Sequence, residues 1–197
     1  LKEDLEALGI TDIHELETCY GLTATIHGGK PGKTVALRAD IDALPVKEET
    51  GLPFASHNEG KMHACGHDGH MTVGLGAAKI LCELREQLHG TVKFIFQPAE
   101  EGVRGARAIV ENGHLEDVDF LFAAHMYGGS EQHPCGICIT AGHGLATTKL
   151  DVDFHGKASH AADAPEQGNN ALLAAATAVL NLQAIPRPVS YTHLRAH

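Results

Sequence analysis

TVKFIFQPAEE, residues 91–101, is a compact apolar run that breaks at Pro98 and closes on two adjacent carboxylates, Glu100 and Glu101. Its β-branched and aromatic content predicts a buried strand over residues 91–96. Downstream, residues 105–112 read as a short helix ended by Gly113, and residues 120–124 as another apolar strand. Upstream, residues 69–88 are helical in period, with Gly74, Gly76, Ala77 and Ala78 allowing close packing, and the residues before them form a loop. Further up, residues 19–26 and 34–41 read as strands joined by the turn-rich HGGKPGK, a hairpin feeding the same sheet, and residues 1–8 have helical spacing. Strand, helix, strand, helix, strand predicts an α/β domain, a mostly parallel mixed sheet flanked by helices. In such sheets chemistry gathers outside the carboxyl ends of the strands.

After Gly142 the texture changes. TTKLDVDFHG, residues 147–156, alternates like a half-exposed strand, and residues 170–184 form a helix rich in Ala and Leu. We therefore expect residues 1–144 to be the N-terminal part of one domain and residues 145–187 part of a smaller α+β domain. The chain has 197 residues, 43% of them hydrophobic, enough for one full core and a piece of a second. A formal charge of −10 argues against nucleic acid or an anionic membrane as partner, because a polyanion is repelled. No apolar run is long enough to span a bilayer and no leader resembles a signal peptide, so the cytoplasm is the expected location; the chain does not open with Met, which leaves room for an upstream piece. Five cysteines in a chain this long do not make a disulfide framework, so reduced thiols are expected. Fifteen histidines are unusual, and their positions have to decide which of them matter.

The strand ends carry Arg38-Ala39-Asp40, Gln97-Pro98-Ala99-Glu100-Glu101 and His125, and the long helix is preceded by MHACGHDGH, residues 62–70. A buried strand running into two adjacent carboxylates stabilises nothing by itself, since like charges repel and desolvation adds to the cost. A cation resolves the conflict. Glu100 and Glu101 alone fit a solvated loop equally well, and MHACGHDGH alone fits a polar loop less well than a metal site; together the clusters point firmly to metal. Cys65 as thiolate and His67 through a ring nitrogen are competent ligands for zinc or manganese-type ions, and a two-residue spacing on an extended loop aims both at one place. Glu101 supplies an anionic oxygen and His125 a second imidazole. Glu100 is then free to act as general base on a water polarised by one metal or a pair of them. Asp40, at a strand end, is placed to orient a ligand imidazole from behind.

LRADIDALP, MHACGHDGH, FQPAEEG and the His of AAHMYGG, in this order, resemble the aminoacylase and carboxypeptidase-type metallo-amidohydrolases. The branch is the one holding plant auxin-conjugate hydrolases and bacterial N-acyl amino acid amidohydrolases. EEGVRGARAIVENG and the segment from LATTKLDVDFHG to NNALLAAA are most similar to its aminobenzoyl-glutamate-hydrolysing members. The resemblance covers residues 1–187. It implies a zinc-exopeptidase-like catalytic domain followed by the start of a ferredoxin-like lid, and two divalent ions, Mn or Zn. Of these, Cys65 bridges both, His67 and His125 bind one, Glu101 binds the other, and Glu100 is the base. It also implies a small N-acyl amino acid substrate and a homodimer or related-subunit dimer through the lid. There His160 reaches the partner's site to stabilise an oxyanion, a role worth a few kcal/mol where donors meet developing charge; without the resemblance His160 reads as a loop residue. Asn170 is a candidate for substrate contact, with a helix-start role the plainer reading.

Two other readings compete. Pro134-Cys135-Gly-Ile-Cys138 with His57-Asn58-Glu59 imitates the zinc deaminase signature. In CGICITAG, however, the cysteines alternate as on a strand and point to opposite faces, which suits ordinary strand residues. The last stretch, PVSYTHLRAH (residues 188–197), departs from the family pattern and resembles translated adapter sequence. This predicts a non-native tail on a truncated fragment that binds metal without turnover, with the family's final metal-binding His absent; nothing recommends His193 or His197 in its place.

Overall fold

A computed structural model describes residues 1–17, 19–102, 104–126, 137 and 151–183. The chain divides into two compact units, Leu1–Ile137 and Cys138–His197. In the first, α1 (Lys2–Ala7) leads into β1 (Asp12–Glu15), β2 (Leu22–His27) and β3 (Lys30–Asp40). There follow α2 (His67–Glu83), a single 3₁₀ turn (Arg85–Gln87), β4 (His89–Gln97), α3 (Gly105–Glu111) and β5 (Phe120–Ala123). The strands form one sheet in the order β1-β2-β4-β3-β5. β3 pairs parallel with β4 and with β5, while β2 pairs antiparallel with β1 and β4. The sheet is thus α/β and mixed, and its parallel half carries the strand ends singled out by sequence.

The expected hairpin between β2 and β3 does not form, because β4 lies between them. The link still reverses the chain, since β2 runs antiparallel and β3 parallel to β4, but it does so around β4, and its glycines serve the close approach this needs. A Cβ on Gly28 would sit 2.6 Å from the carbonyl oxygens of Gly90 and Leu88, and one on Gly32 2.6 Å from the Gly90 nitrogen. The link therefore crosses directly over the start of β4, and the Gly28 N–H donates to the Gly90 carbonyl at 2.9 Å.

Alternation along the strands builds two layers of core. Leu22, Ala24, Ile26, Ala39, Phe94 and Phe96 pack with Leu5, Ile10 and Ala78, joining β2, β3 and β4 to α1 and α2 on one face. Ala36 and Ile95 pack with Leu16 and Ile109 on the other, the face α3 covers. Gly74 lets α2 settle onto the sheet, since a Cβ there would lie 3.1 Å from the Phe96 ring. Phe96 is fully buried, with its ring 6.4 Å from that of Phe94. Phe96→Ala is expected to cost about 3–5 kcal/mol through lost contacts and the cavity left behind. Urea unfolding followed by far-UV circular dichroism measures it, and a cost under about 1 kcal/mol would mean that the cavity collapses.

In the second unit α4 (Ala171–Gln183) follows a 3₁₀ turn (Pro165–Gln167), and Lys157 and Asn169 form an isolated antiparallel bridge. The strand expected over residues 147–156 is not seen at residues 151–156, which carry no ladder; residues 147–150 lie outside the described residues. Among the described residues no other segment pairs with it, and alternation alone does not make a strand. The expected domain boundary near residue 145 and the tail 188–197 also lie outside the described residues. Among the described residues no helix is long and apolar enough to cross a membrane.

Candidate metal centre

Three backbone ends converge beyond the carboxyl termini of β3, β4 and β5: residues 40–42, residues 98–101 and His125. The start of α2 closes the fourth side. The helix begins at His67, earlier than the periodicity suggests, so Cys65 alone of the Cys65/His67 pair is on the loop. Gly66 makes the corner in the left-handed region at φ +83°. In the first helical turns His67 and His70, three residues apart, share one face and are both buried. Ala99, at φ +51°, turns the backbone just before the two glutamates, and its carbonyl accepts the N–H groups of Arg104 (3.2 Å) and Gly105 (3.3 Å). Gly105 is required there, since a Cβ would collide with the Pro98 carbonyl oxygen.

Metal-capable atoms of Cys65, His67 and His125 lie within 4.8 Å of one another, and so do those of His67, Glu100 and Glu101. All five residues named from sequence are thus brought together, with His67 common to both groups. The Nδ1–H of His67 donates to the Asp42 backbone carbonyl at 3.0 Å and lies 3.2 Å from the Asp42 carboxylate. Nε2 therefore carries the lone pair. It is buried and takes no hydrogen bond among the described residues, with Asp40 Oδ2 at 3.9 Å and Glu100 Oε2 at 4.0 Å. The Nδ1–H of His125 donates to the Met126 carbonyl at 2.6 Å, and its Nε2 lies 3.6 Å from Cys65 Sγ. Burial pushes the Cys65 thiol up, helped by its hydrogen bond to Glu101 and by the charges of Glu101, Glu100 and Asp40. Two imidazole lone pairs and a thiol facing carboxylates form a donor set that fits a divalent ion, which would neutralise the acids and take up the buried nitrogen.

The sequence assigns the orienting role behind a ligand imidazole to Asp40. The structure gives the His67 hydrogen bond to Asp42, whose other carboxylate oxygen also accepts the Glu101 N–H at 3.1 Å. Asp42 thereby ties two candidate ligands together, and LRADIDALP offers it two residues beyond Asp40. Asp40 is buried, ion-paired with Arg38, and 3.5 Å from His70 Nδ1. Arg38 is held in turn by Gln97, its Nε–H donating to Oε1 at 3.0 Å. Asp40, His67 and His70 make a third group with metal-ligand spacing, but His70 Nε2 already accepts the Met126 N–H at 2.7 Å. Burial, then the neighbouring His125, holds the His70 pKa below the usual imidazole range. Asp42→Ala is expected to weaken divalent-metal affinity by about 10- to 100-fold. Chelator competition measures it, and an unchanged affinity would remove Asp42 from the site.

His160 lies in the second unit, exposed, with Nδ1 accepting the N–H groups of Ala162 (3.2 Å) and Asp163 (3.1 Å). Asn170 Oδ1 caps α4, accepting from the N–H groups of Leu172 (3.0 Å) and Leu173 (3.3 Å), the plainer of its two readings. His57 belongs to none of the metal-capable groups among the described residues; Cys135, Cys138, His193 and His197 lie outside them.

Peptidase family M20/M25/M40 matches residues 36–194. The chain is 49% identical over 173 residues to one subunit of the p-aminobenzoyl-glutamate hydrolase of Escherichia coli K12, covering 84% of this chain and 39% of that one. It is 41% identical over 182 residues to the N-acetylcysteine deacetylase of Bacillus subtilis, covering 91% and 46%. Among solved structures, an aminobenzoyl-glutamate utilization protein from Klebsiella pneumoniae superposes with a TM-score of 0.65 at 32% identity, over 97% of this chain and 52% of that one. A dinuclear metal binding M20 peptidase from Bacillus subtilis does so with a TM-score of 0.60 at 47% identity, over 63% and 34%. The chain spans less than half the length of the curated relatives it matches.

Proposed function

The chain belongs to peptidase family M20/M25/M40, and from that premise we propose that it is the metal-binding part of an amidohydrolase cleaving N-acyl or N-aroyl amino acids. The observation that carries this is the convergence of Cys65, His67 and His125, with the buried His67 Nε2 turned towards Glu100. Cys65, His67, Glu101 and His125 would hold the divalent ions, Mn or Zn, two of them by likeness to the dinuclear relative. When bound, such ions supply Lewis acidity, polarising a water and a carbonyl.

The remaining work falls to the chain's own residues. Glu100 takes a proton from the attacking water and returns it to the departing amine nitrogen as the C–N bond breaks. Asp42 keeps His67 in the Nδ1–H tautomer and ties it to Glu101. His160 is the proposed donor to the developing oxyanion, across a dimer or related-subunit contact made by residues 145–187, and the cytoplasm is the proposed location. Substrates bearing an amino acid carboxylate, aminobenzoyl-glutamate among them, are proposed; likeness to the named relatives supports this.

Metal analysis combined with a hydrolysis screen over N-acetyl amino acids, N-benzoyl amino acids and aminobenzoyl-glutamate tests the reading. Bound zinc or manganese that disappears in Cys65→Ala and His67→Ala, with release of free amino acid, supports it. A protein that binds neither ion overturns it.

A further inference from the structure

Beyond the candidate ligands, the structure holds a second arrangement, built around Met126 and His70, which lie outside that ligand set. Met126 follows His125, and both polar groups of its backbone are engaged. Its N–H donates to His70 Nε2 at 2.7 Å, and its carbonyl accepts the Nδ1–H of His125 at 2.6 Å. Its side chain lies over the start of α2, where two glycines make room for it. A Cβ on Gly69 would stand 3.0 Å from Met126 Cγ, 3.4 Å from Sδ and 3.5 Å from Cε, and one on Gly66 3.0 Å from Met126 Cβ.

We propose that Gly66, Gly69 and His70 form a socket that seats Met126 and thereby aims His125 at Cys65. Residues that bind no metal then set how tightly one is bound; this rests on the metal-centre reading above. The Met126 backbone N–H and one side of its half-exposed side chain meet the helix that supplies His67, so the two imidazoles are positioned against the same helix. The rings of His67 and His70 stack with centroids 5.1 Å apart, and those of His70 and His125 meet edge to face at 4.6 Å, so the exposed His125 ring is braced on one side by a buried one.

Proton placement follows from the donors. Because His70 Nε2 accepts the Met126 N–H, the neutral ring carries its proton on Nδ1, which faces Asp40 Oδ2 at 3.5 Å. Asp40 is fixed by its ion pair with Arg38. A line of contacts thus runs from Arg38 through Asp40, His70 and Met126 to His125, each member setting the orientation of the next. His70 is a positioning residue in this scheme. With its Nε2 lone pair taken by the Met126 N–H and its proton on Nδ1, the neutral imidazole has no electron pair left for a cation, which separates it from His67, three residues earlier on the same helix face. The scheme also gives a reason for both glycines of CGHDG: Gly66 turns the corner, and Gly69 leaves the space that the Met126 side chain fills.

Two sets of variants test this, with zinc affinity read by chelator competition and cobalt(II) absorption reporting thiolate ligation. In His70→Gln the amide oxygen reaches the position of Nε2 and still accepts the Met126 N–H. In His70→Asn the shorter side chain reaches only the position of Nδ1. Zinc affinity is expected to stay within about threefold of wild type in His70→Gln and to fall by about 10- to 100-fold in His70→Asn. Gly69→Ala is expected to weaken binding similarly by displacing Met126. The double variant Gly69→Ala/Met126→Ala should recover most of the loss, because removing the thioether clears the clash while the backbone N–H remains. Circular dichroism of each metal-free variant separates positioning from loss of fold; if His70→Asn does not fold, the Gly69/Met126 pair decides. A folded His70→Asn that binds zinc as tightly as wild type, or a Gly69→Ala loss that Met126→Ala does not relieve, overturns the assignment alone. Failure of the wild-type chain to bind either ion overturns the metal reading and this assignment with it.

Discussion

Glu100→Gln is expected to remove amide turnover and leave bound metal unchanged. The substitution preserves the shape and most of the hydrogen bonding of the side chain and removes its capacity to take a proton. General-base assistance of this kind is commonly worth about 10²–10⁴-fold, and a residue that both accepts the water's proton and delivers one to the amine sits at the upper end. The geometry separates Glu100 from its neighbour. Ala99 turns the chain in the left-handed region, and the Glu101 N–H is held by Asp42 at 3.1 Å. Glu101 hydrogen-bonds the Cys65 thiol, while Glu100 Oε2 stands 4.0 Å from His67 Nε2. The contrast variant is therefore Glu101→Gln, which is expected to lose metal together with activity. Steady-state kinetics on a panel of N-acyl amino acids, paired with metal analysis of the same preparations, distinguishes the two. Turnover in Glu100→Gln within tenfold of wild type would place the base elsewhere, and metal loss in that variant would make Glu100 a ligand.

The parts of the centre that sequence displays are those whose local chemistry is odd. TVKFIFQPAEE announces both a strand and an ending that costs free energy; alone it fits a solvated loop equally well, and only beside MHACGHDGH does it point to a cation. Cys65, His67 and His125 follow for the same reason. What sequence does not display is pairing over distance. HGGKPGK has every local sign of a hairpin, yet its glycines exist to pass over Gly90, and only the fold shows β4 between β2 and β3. Asp40 and Asp42 are indistinguishable by the same logic. Both follow an apolar strand at the same parity, and which one reaches His67 depends on where α2 begins. His70 is one histidine of three in MHACGHDGH, with no role of its own visible there. With the helix starting at His67, a spacing of three residues puts both rings on one face, a signal that a later assignment of the helix start conceals.

Metal affinity is expected to rise with pH, and metal-free stability to fall with it, both through Cys65. Burial raises the thiol's pKa and the charges of Glu101, Glu100 and Asp40 add to the effect, so the metal-free fold favours the neutral sulfhydryl. A group whose folded pKa lies above its unfolded one contributes stability that is complete below the unfolded value and is lost as pH rises through the folded value. In the presence of a chelator the chain should therefore lose stability on the alkaline side of the ordinary thiol range. A divalent ion reverses the sign, because coordination requires the thiolate and expels its proton. Above the histidine range and below the thiol pKa, the one proton released as the first ion binds makes its affinity climb about tenfold per pH unit. Chelator competition with zinc at steps from about pH 7 to about pH 9 measures that slope against the ordinary titration ranges of His and Cys, and proton release in weakly buffered solution counts the proton directly. Cys65→Ala should lose most of the affinity and flatten the remaining pH dependence. If wild type and Cys65→Ala showed the same slope, the proton would come from another ligand, and Cys65 would lie beside the ion without binding it.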